Sequence, residues 1–283
     1  MKKGFFIQSN KKQYLGALLA KYAFERTYKG KDLVPVTIML VEDIPMFKTY
    51  AGMTFNRKGE KRVLAGEDLQ FFTLTRFMPP ELMGFEGRAV VIDPDIFALK
   101  DISPLYEMDL RGNALAACTK KDAWDSSVMV LDCAKLSHWK VGEWLKQLKE
   151  GSADYDRIMT IKDETEVLPL SREWNDLDHL DQNTKMIHTT IRLTQPWRAG
   201  LPIDFTRNKM PKYFGLIPRE PIHKLLGKYP THYLPHPNKD IEMMFLKLLK
   251  DSMTDGAVSK EQLEYEVKEG HVRTDVFEKL ALL

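Results

Sequence analysis

Between residues 5 and 150, short apolar runs bounded by polar residues alternate with longer stretches whose apolar positions recur at helical spacing. Phe5 to Ile7 predicts a strand, ended by polar Ser9-Asn10. From Gln13 to Arg26, the residues Tyr14, Leu15, Ala17, Leu18, Leu19 and Tyr22 suit a helix, closed by Gly30. Val34 to Val41 reads as a second strand, with Glu42-Asp43 just beyond it. Residues 46 to 62 show no period and predict loop, and Phe71 to Leu74 opens a helix interrupted at Pro79-Pro80. Ala89 to Ile92, Leu115 to Ala117 and Val128 to Leu131 predict three further strands, followed by a helix over Lys135 to Lys149 that stops at Gly151.

Strands alternating with helices predict an α/β architecture, a Rossmann-like mixed sheet flanked by helices. In such sheets ligands collect where loops leave the carboxyl ends of strands. That rule singles out Ser9, Asn10, Glu42, Asp43, Asp93 and Asp95. Beyond residue 200 the pattern changes. Residues 207 to 239 are rich in proline, aromatics and cations, with Glu220 the single acid before a run of helical signals. Asn238 caps a predicted helix that places Ile241, Met244, Phe245, Leu248 and Leu249 on one face, and Ser259-x-x-Gln262 is a capping box for another. The expected division is a chemical domain over 1–200 and a basic, aromatic segment with C-terminal helices over 201–283.

Composition narrows the classes. With 42 Lys plus Arg against 40 acids, the near-neutral balance argues against a nucleic-acid binder. The two cysteines, Cys118 and Cys133, have no metal-ligand spacing and sit in apolar runs, as buried inert thiols do. The start, Met1 to Ile7, resembles a signal peptide, but its apolar stretch is too short, and no apolar run approaches the ~20 residues of a membrane span. A cytoplasmic enzyme is expected, with peripheral membrane contact through 207–239 as a further expectation.

The spacing D-x-D occurs at Asp93-Asp95, Asp154-Asp156 and Asp176-Asp178. Context separates the first. Asp93 follows a run apolar enough for a central strand, and Pro94 stops the ladder. Two carboxylates there repel each other unless a cation joins them, and hard oxygen ligands suit Mg²⁺ or Mn²⁺ carrying substrate phosphates. An ordinary Asp-Pro turn with solvated carboxylates accounts for the same residues equally well.

The segment Arg88 to Glu107, with Asp93-Pro94-Asp95 inside it, resembles the D-x-D segment of glycosyltransferase family 8. Four other stretches resemble the family in order: Ser9-Asn10 with Tyr14 to Ala17; Trp124 to Val130; Asp154-Tyr155-Asp156 with Val167 to Pro169 and Trp174-Asn175; and His188 with Gln195-Pro196-Trp197. Pro94 replaces the usual middle alanine, Asp125 and Ser127 replace Asn and Gly, and Ile191 and Gln195 replace a glycine and a lysine. The resemblance implies a GT-A fold, a UDP-sugar donor, a saccharide acceptor, Mn²⁺ (or Mg²⁺) and transfer with retention. It implies His188 as third metal ligand beside Asp93 and Asp95, and Arg76 and Arg192 against the departing diphosphate. Ser9, Asn10, Tyr14 and Asp43 would hold the base and ribose, while Asp125, Asp154 and Asp156 would act at the anomeric carbon or orient the acceptor. Trp174, Asn175 and Trp197 would line the acceptor side. Each has a plainer alternative: a surface ion pair for the arginines, a helix cap for 154–156, core filling for Tyr14 and the tryptophans. Two other functions compete. A nucleotidyltransferase wants a glycine-rich phosphate loop, and Gln8 to Gln13 contains no glycine; a glycan-binding protein that has lost activity fits the altered His188–Trp197 region.

Overall fold

A computed structural model describes all residues except 58, 59, 65–70, 206–220, 222, 224, 227 and 228, so most of the 207–239 segment lies outside the described residues. The strands are β1 (Lys3–Ser9), β2 (Val36–Leu40), β3 (Thr54–Arg57), β4 (Glu60–Val63), β5 (Arg88–Ile92), β6 (Ile96–Ala98), β7 (Leu115–Lys120), β8 (Ala123–Asp132), β9 (Val167–Pro169), β10 (Asp176–Leu177) and β11 (Met186–His188). The helices are α1 (Tyr14–Thr27), α2 (Pro45–Tyr50), α3 (Pro79–Leu82), α4 (Ser103–Glu107), α5 (Val141–Glu150), α6 (Tyr155–Met159), α7 (Lys239–Thr254), α8 (Lys260–Lys268) and α9 (Val276–Ala281).

The expected mixed sheet is present, in the order β2-β1-β5-β8-β7-β9. β1 runs parallel to β2 and β5, and β8 lies antiparallel between β5 and β7. The continuous apolar runs follow from burial on both faces. Val90 and Ile92 of β5 join Val128 and Val130 of β8 in one core layer, while Ala89, Val91, Met129 and Leu131 face the other. The first layer packs under α1 and takes in Ile241, Phe245 and Leu249 of α7, so the C-terminal helices share the core of the sheet.

Several local expectations are corrected. Residues 46–62 are not loop: Pro45 starts α2 at a position that lacks an N–H partner in any helix, and β3 and β4 pair as a hairpin. The helix expected from Lys135 begins at Val141, because Cys133–Leu136 turns as 3-10 first. The stretch from Phe71 is also 3-10, ending where Pro79-Pro80 opens α3. The caps fall as expected. Asn238 accepts from the Asp240 N–H at 2.9 Å and Ser259 from the Gln262 N–H at 3.1 Å. No helix among the described residues is long and apolar enough to cross a membrane.

Cys118 and Cys133 are free and buried, and burial pushes both thiols up to about 12. A disulfide reagent at pH 8 is therefore expected to label neither cysteine in the native protein and both after unfolding in guanidinium; rapid labelling of the native protein contradicts the burial.

Candidate active site

Because β1, β2 and β5 are parallel, their carboxyl ends share one edge of the sheet. Gln8-Ser9-Asn10, Glu42-Asp43 and Asp93 leave the sheet there. Asp95 lies three residues past the end of β5 and immediately before β6. β6 pairs antiparallel with β11, and the register sets His188 opposite Ile96, next to Asp95. The Thr189 N–H extends that ladder to the Asp95 carbonyl at 3.0 Å. A residue 93 positions down the chain is thereby delivered to the Asp-Pro-Asp turn by strand pairing alone. Asp93, Asp95 and His188 each present a ligand atom within 4.8 Å of the others.

They sit in a cleft of about 250 Å³ that Arg76, Lys120, Asp125, Tyr155, Arg192 and Gln195 also line. Arg76, which is buried, places Nη2 across both oxygens of Asp93 (2.9 and 3.0 Å) and donates from Nη1 to Ser126 Oγ at 2.7 Å. Gln8 donates from Nε2 to Asp93 as well. Burial pushes the Asp93 carboxyl up to about 6, with Arg76 pulling the other way and Asp95 adding to the rise. Asp95 accepts from Gln195 Nε2 at 3.0 Å and faces His188 Nε2 at 3.4 Å.

The state of His188 follows from a chain of hydrogen bonds. Asp125 Oδ1 accepts from the Ser127 hydroxyl at 2.5 Å, which commits the only proton of that hydroxyl. Ser127 Oγ must then accept from Asn175 Nδ2, at 3.0 Å. Asn175 Oδ1 is thereby turned to His188 Nδ1 at 2.9 Å, and Nδ1 carries the proton. In the neutral imidazole Nε2 is a bare lone pair aimed at Asp95. Two lone-pair atoms facing each other need a proton or a metal ion between them. Burial pulls the imidazole down, but Asp95 first, then Asp93 and Asp125, raise it above its ordinary value. The Asp125 carboxyl, opposed by burial, is held below the usual range by the two Ser127 hydrogen bonds, with His188 and Lys120 adding to them.

The donor set of two carboxylates and an imidazole nitrogen fits a divalent cation. Gln13 adds to that fit: it lines the cleft, and its buried Oε1 has no partner among the described residues. The other expected residues fall elsewhere. Ser9 and Asn10 are buried and occupied, Ser9 donating to the Asn10 carbonyl and Asn10 capping the turn at Gln13. Tyr14 is half-buried in the first turn of α1, and Asp43 is exposed beyond β2. Asp154 caps α6, accepting from the Arg157 N–H at 3.0 Å. Asp156 pairs with Arg57 at 3.5 Å on the flank of the cleft. Trp197 is core, stacked on Phe245 with ring centroids 5.2 Å apart, and Trp174 is buried beneath the Lys185 ammonium. Asn175, expected beside the acceptor, instead orients His188.

Sequence reasoning missed Gln8, Gln13, Arg57 and Lys120. Gln8 directly precedes the strand-end pair Ser9-Asn10 and was legible by the same rule; Arg57 arrives on a hairpin that carries no local signal, and Lys120 stands at the polar end of β7, beyond the apolar run that announces the strand. One glycine also belongs to the site. A Cβ on Gly16 of α1 would lie 2.5 Å from the Pro94 carbonyl oxygen, so the helix meets the Asp-Pro-Asp turn at backbone distance. Gly16→Ala is expected to shift that turn and weaken metal binding by about 10–100-fold, whatever alanine adds to helix propensity. Gly142→Ala in α5 meets nothing within 4 Å and serves as the control, stabilising by about 0.5–1 kcal/mol. Calorimetric titration with Mn²⁺ reads both; equal affinities in the two variants would remove Gly16 from the site.

No protein-family model matches the chain, and no curated protein matches it in sequence. In structure it is similar to solved glycosyltransferases of family 8 with a GT-A-like fold. The galactosyltransferase LgtC, solved in complex with donor and acceptor sugar analogs, superposes with a TM-score of 0.50 at 12% identity, over 70% of this chain and 90% of that one. The glycosyltransferase GlyE of Streptococcus pneumoniae gives 0.50 at 14% identity over 84% and 66%. The bifunctional glycosyltransferase WbbM gives 0.50 at 12% over 70% of this chain and 47% of its own length. At these identities the likeness concerns the fold, and the expected GT-A-type architecture is the one found.

Proposed function

We propose that this chain is a metal-dependent glycosyltransferase of the family 8 type, moving a sugar from a UDP-sugar to a saccharide acceptor with retention of configuration. The observation that carries the reading is the meeting of Asp93, Asp95 and His188 at the carboxyl edge of a GT-A-type sheet. Asp93, Asp95 and His188 would hold Mn²⁺ or Mg²⁺, which supplies Lewis-acid neutralisation of the donor diphosphate. Arg76, Arg192 and Lys120 add fixed positive charge where the leaving group departs. Asp125, held ionised in the cleft, stabilises positive charge as it develops at the anomeric carbon. To the base and ribose we assign the edge of Ser9, Asn10, Tyr14 and Asp43, with Ser9 and Asn10 holding its turn, and to the acceptor approach Asp154 and Asp156.

UDP is expected to raise the melting temperature only when Mn²⁺ or Mg²⁺ is present. At 100-fold over Kd the gain is about 2.7 kcal/mol, a shift on the order of 5–10 °C for a chain of this size. No shift with either cation, or an equal shift in EDTA, sinks the proposal. A second reading has its own support. Gln8, Arg76 and Gln195 already satisfy the two acids with protein donors, as a site that no longer turns over would need. Slow hydrolysis of a UDP-sugar by the wild-type protein separates the two.

A further inference from the structure

Away from the metal cleft, α5, the His138-Trp139 segment before it and α6 enclose a second hollow of about 550 Å³, within the ~300–1,000 Å³ typical of small-ligand sites. Phe77, Trp139 and Trp144 form its apolar wall; their rings meet edge-to-face, with centroids 5.0–6.1 Å apart. Trp139 is fully buried, whereas Trp144 is only partly buried and lines the hollow.

At the polar side stands Glu164, its side chain only 16% exposed. Trp139 Nε1 at 2.6 Å and His138 Nε2 at 2.7 Å both contact the same oxygen, Oε1. The carboxylate is thereby fixed in orientation while Oε2 has no hydrogen bond among the described residues. A rigid indole wall beside an anchored carboxylate with a vacant acceptor, rimmed by Asn56 and Gln147, matches a pyranose ring. The ring's C–H face packs on indole, and its hydroxyl edge donates to carboxylate and amide oxygens.

Shared lining residues link the hollow to the site already described. Asp154 and Arg157 line it and also line a shallower depression that holds Lys120, and Lys120 lines the metal cleft. Five-residue α6, about 7.5 Å long, lines both: Tyr155 and Met159 stand in the metal cleft, Arg157 and Ile158 in the hollow. Along this path cations and acids are mixed (Lys120, Lys121, Arg157, Lys162 with Asp122, Asp154, Asp156), and Arg157 is itself paired with Asp163, so its field favours no polyanion. We propose that the Trp144–Glu164 hollow is a distal saccharide subsite, which holds the far end of a neutral oligosaccharide acceptor while its near end reaches the metal cleft. The assignment of this oligosaccharide as the acceptor rests on the transferase reading above; the binding of a sugar in the hollow does not.

The test is glycan binding by the intact chain to immobilised neutral oligosaccharides of one to six glucose, galactose or N-acetylglucosamine units. Wild type is expected to retain chains of several units and to bind the corresponding monosaccharides at least tenfold more weakly. Glu164→Gln, and Gln147→Arg, which fills the mouth from an exposed position without touching the core, are each expected to weaken binding at least tenfold. Trp144→Ala should do the same, and the first two variants keep the test valid if that one fails to fold. Lys260→Ala, on the exposed surface of α8, is expected to leave this binding unchanged. Wild-type affinity in folded Glu164→Gln and Gln147→Arg, or no retention of any oligosaccharide by wild type, overturns the subsite. A missing metal-dependent UDP shift with oligosaccharide binding intact removes the transferase reading and leaves the subsite standing; the reverse pattern removes the subsite alone.

Discussion

Asp95→Asn is expected to abolish sugar transfer and donor hydrolysis, by at least about 10³-fold, while leaving the metal-free protein as stable as wild type or more so. The two halves of this prediction come from the same geometry. Asp95 gives one oxygen to the His188–Asp93 cluster and the other to Gln195, and asparagine keeps the shape while removing the charge that binds a cation. Loss of several kcal/mol of leaving-group stabilisation corresponds to about three powers of ten, at 1.36 kcal/mol for each. Without metal, however, Asp95 adds to the burial that already raises Asp93, so its charge opposes the folded state. A site that is costly to the apo protein and needed only with ligand is what a functional carboxylate looks like energetically. Steady-state hydrolysis of a UDP-sugar in Mn²⁺, with melting curves in EDTA and in Mn²⁺, measures both. Retention of activity within tenfold would remove Asp95 from the chemistry. A wild type with no hydrolysis to lose would favour the binding-protein alternative.

How much of this was legible before the fold depends on whether a signal is local. Ala89 to Ile92 announces a central strand because both of its faces are buried, and the acids after it stand out for that reason. The β3–β4 hairpin gives no such signal. Among the described residues of its two strands Phe55 alone is buried, and the alternation is too short to register as a period. His188 illustrates the harder limit. Nothing around it in sequence says that β11 will pair with β6, and only that pairing carries it to Asp95. The Asp125–Ser127–Asn175–His188 chain is non-local in the same way. Three of its members departed from, or were misassigned by, the family resemblance, yet together they form one relay that fixes the imidazole. Trp197 shows the converse: an indole near the site in sequence fills the core because Phe245, nearly fifty residues later, supplies a flat partner.

A large loss of stability is expected from Arg76→Met. Methionine matches the apolar stem of arginine but leaves Asp93 buried with no cation, and Ser126 Oγ loses its donor. Breaking a buried pair from one side costs about 3–5 kcal/mol, more than most surface ion pairs contribute altogether. For a chain of this length that is a fall in melting temperature on the order of 10 °C. The position of Arg76 adds a sharper expectation. Its guanidinium and a divalent cation share the same carboxylate, so Mn²⁺ should restore part of what the substitution removes. The Mn²⁺-induced rise in melting temperature is therefore expected to be larger in Arg76→Met than in wild type, whereas Arg273→Met is expected to lose comparable stability with no added response to Mn²⁺. Arg273 is a fair comparison because it is equally buried and ion-paired, to Glu242 at 2.6 Å and Asp275 at 2.5 Å, in the C-terminal helices. A Mn²⁺ response that is the same in both variants would mean that Asp93 does not serve the metal, and the cluster would reduce to a buried ion pair at the end of a strand.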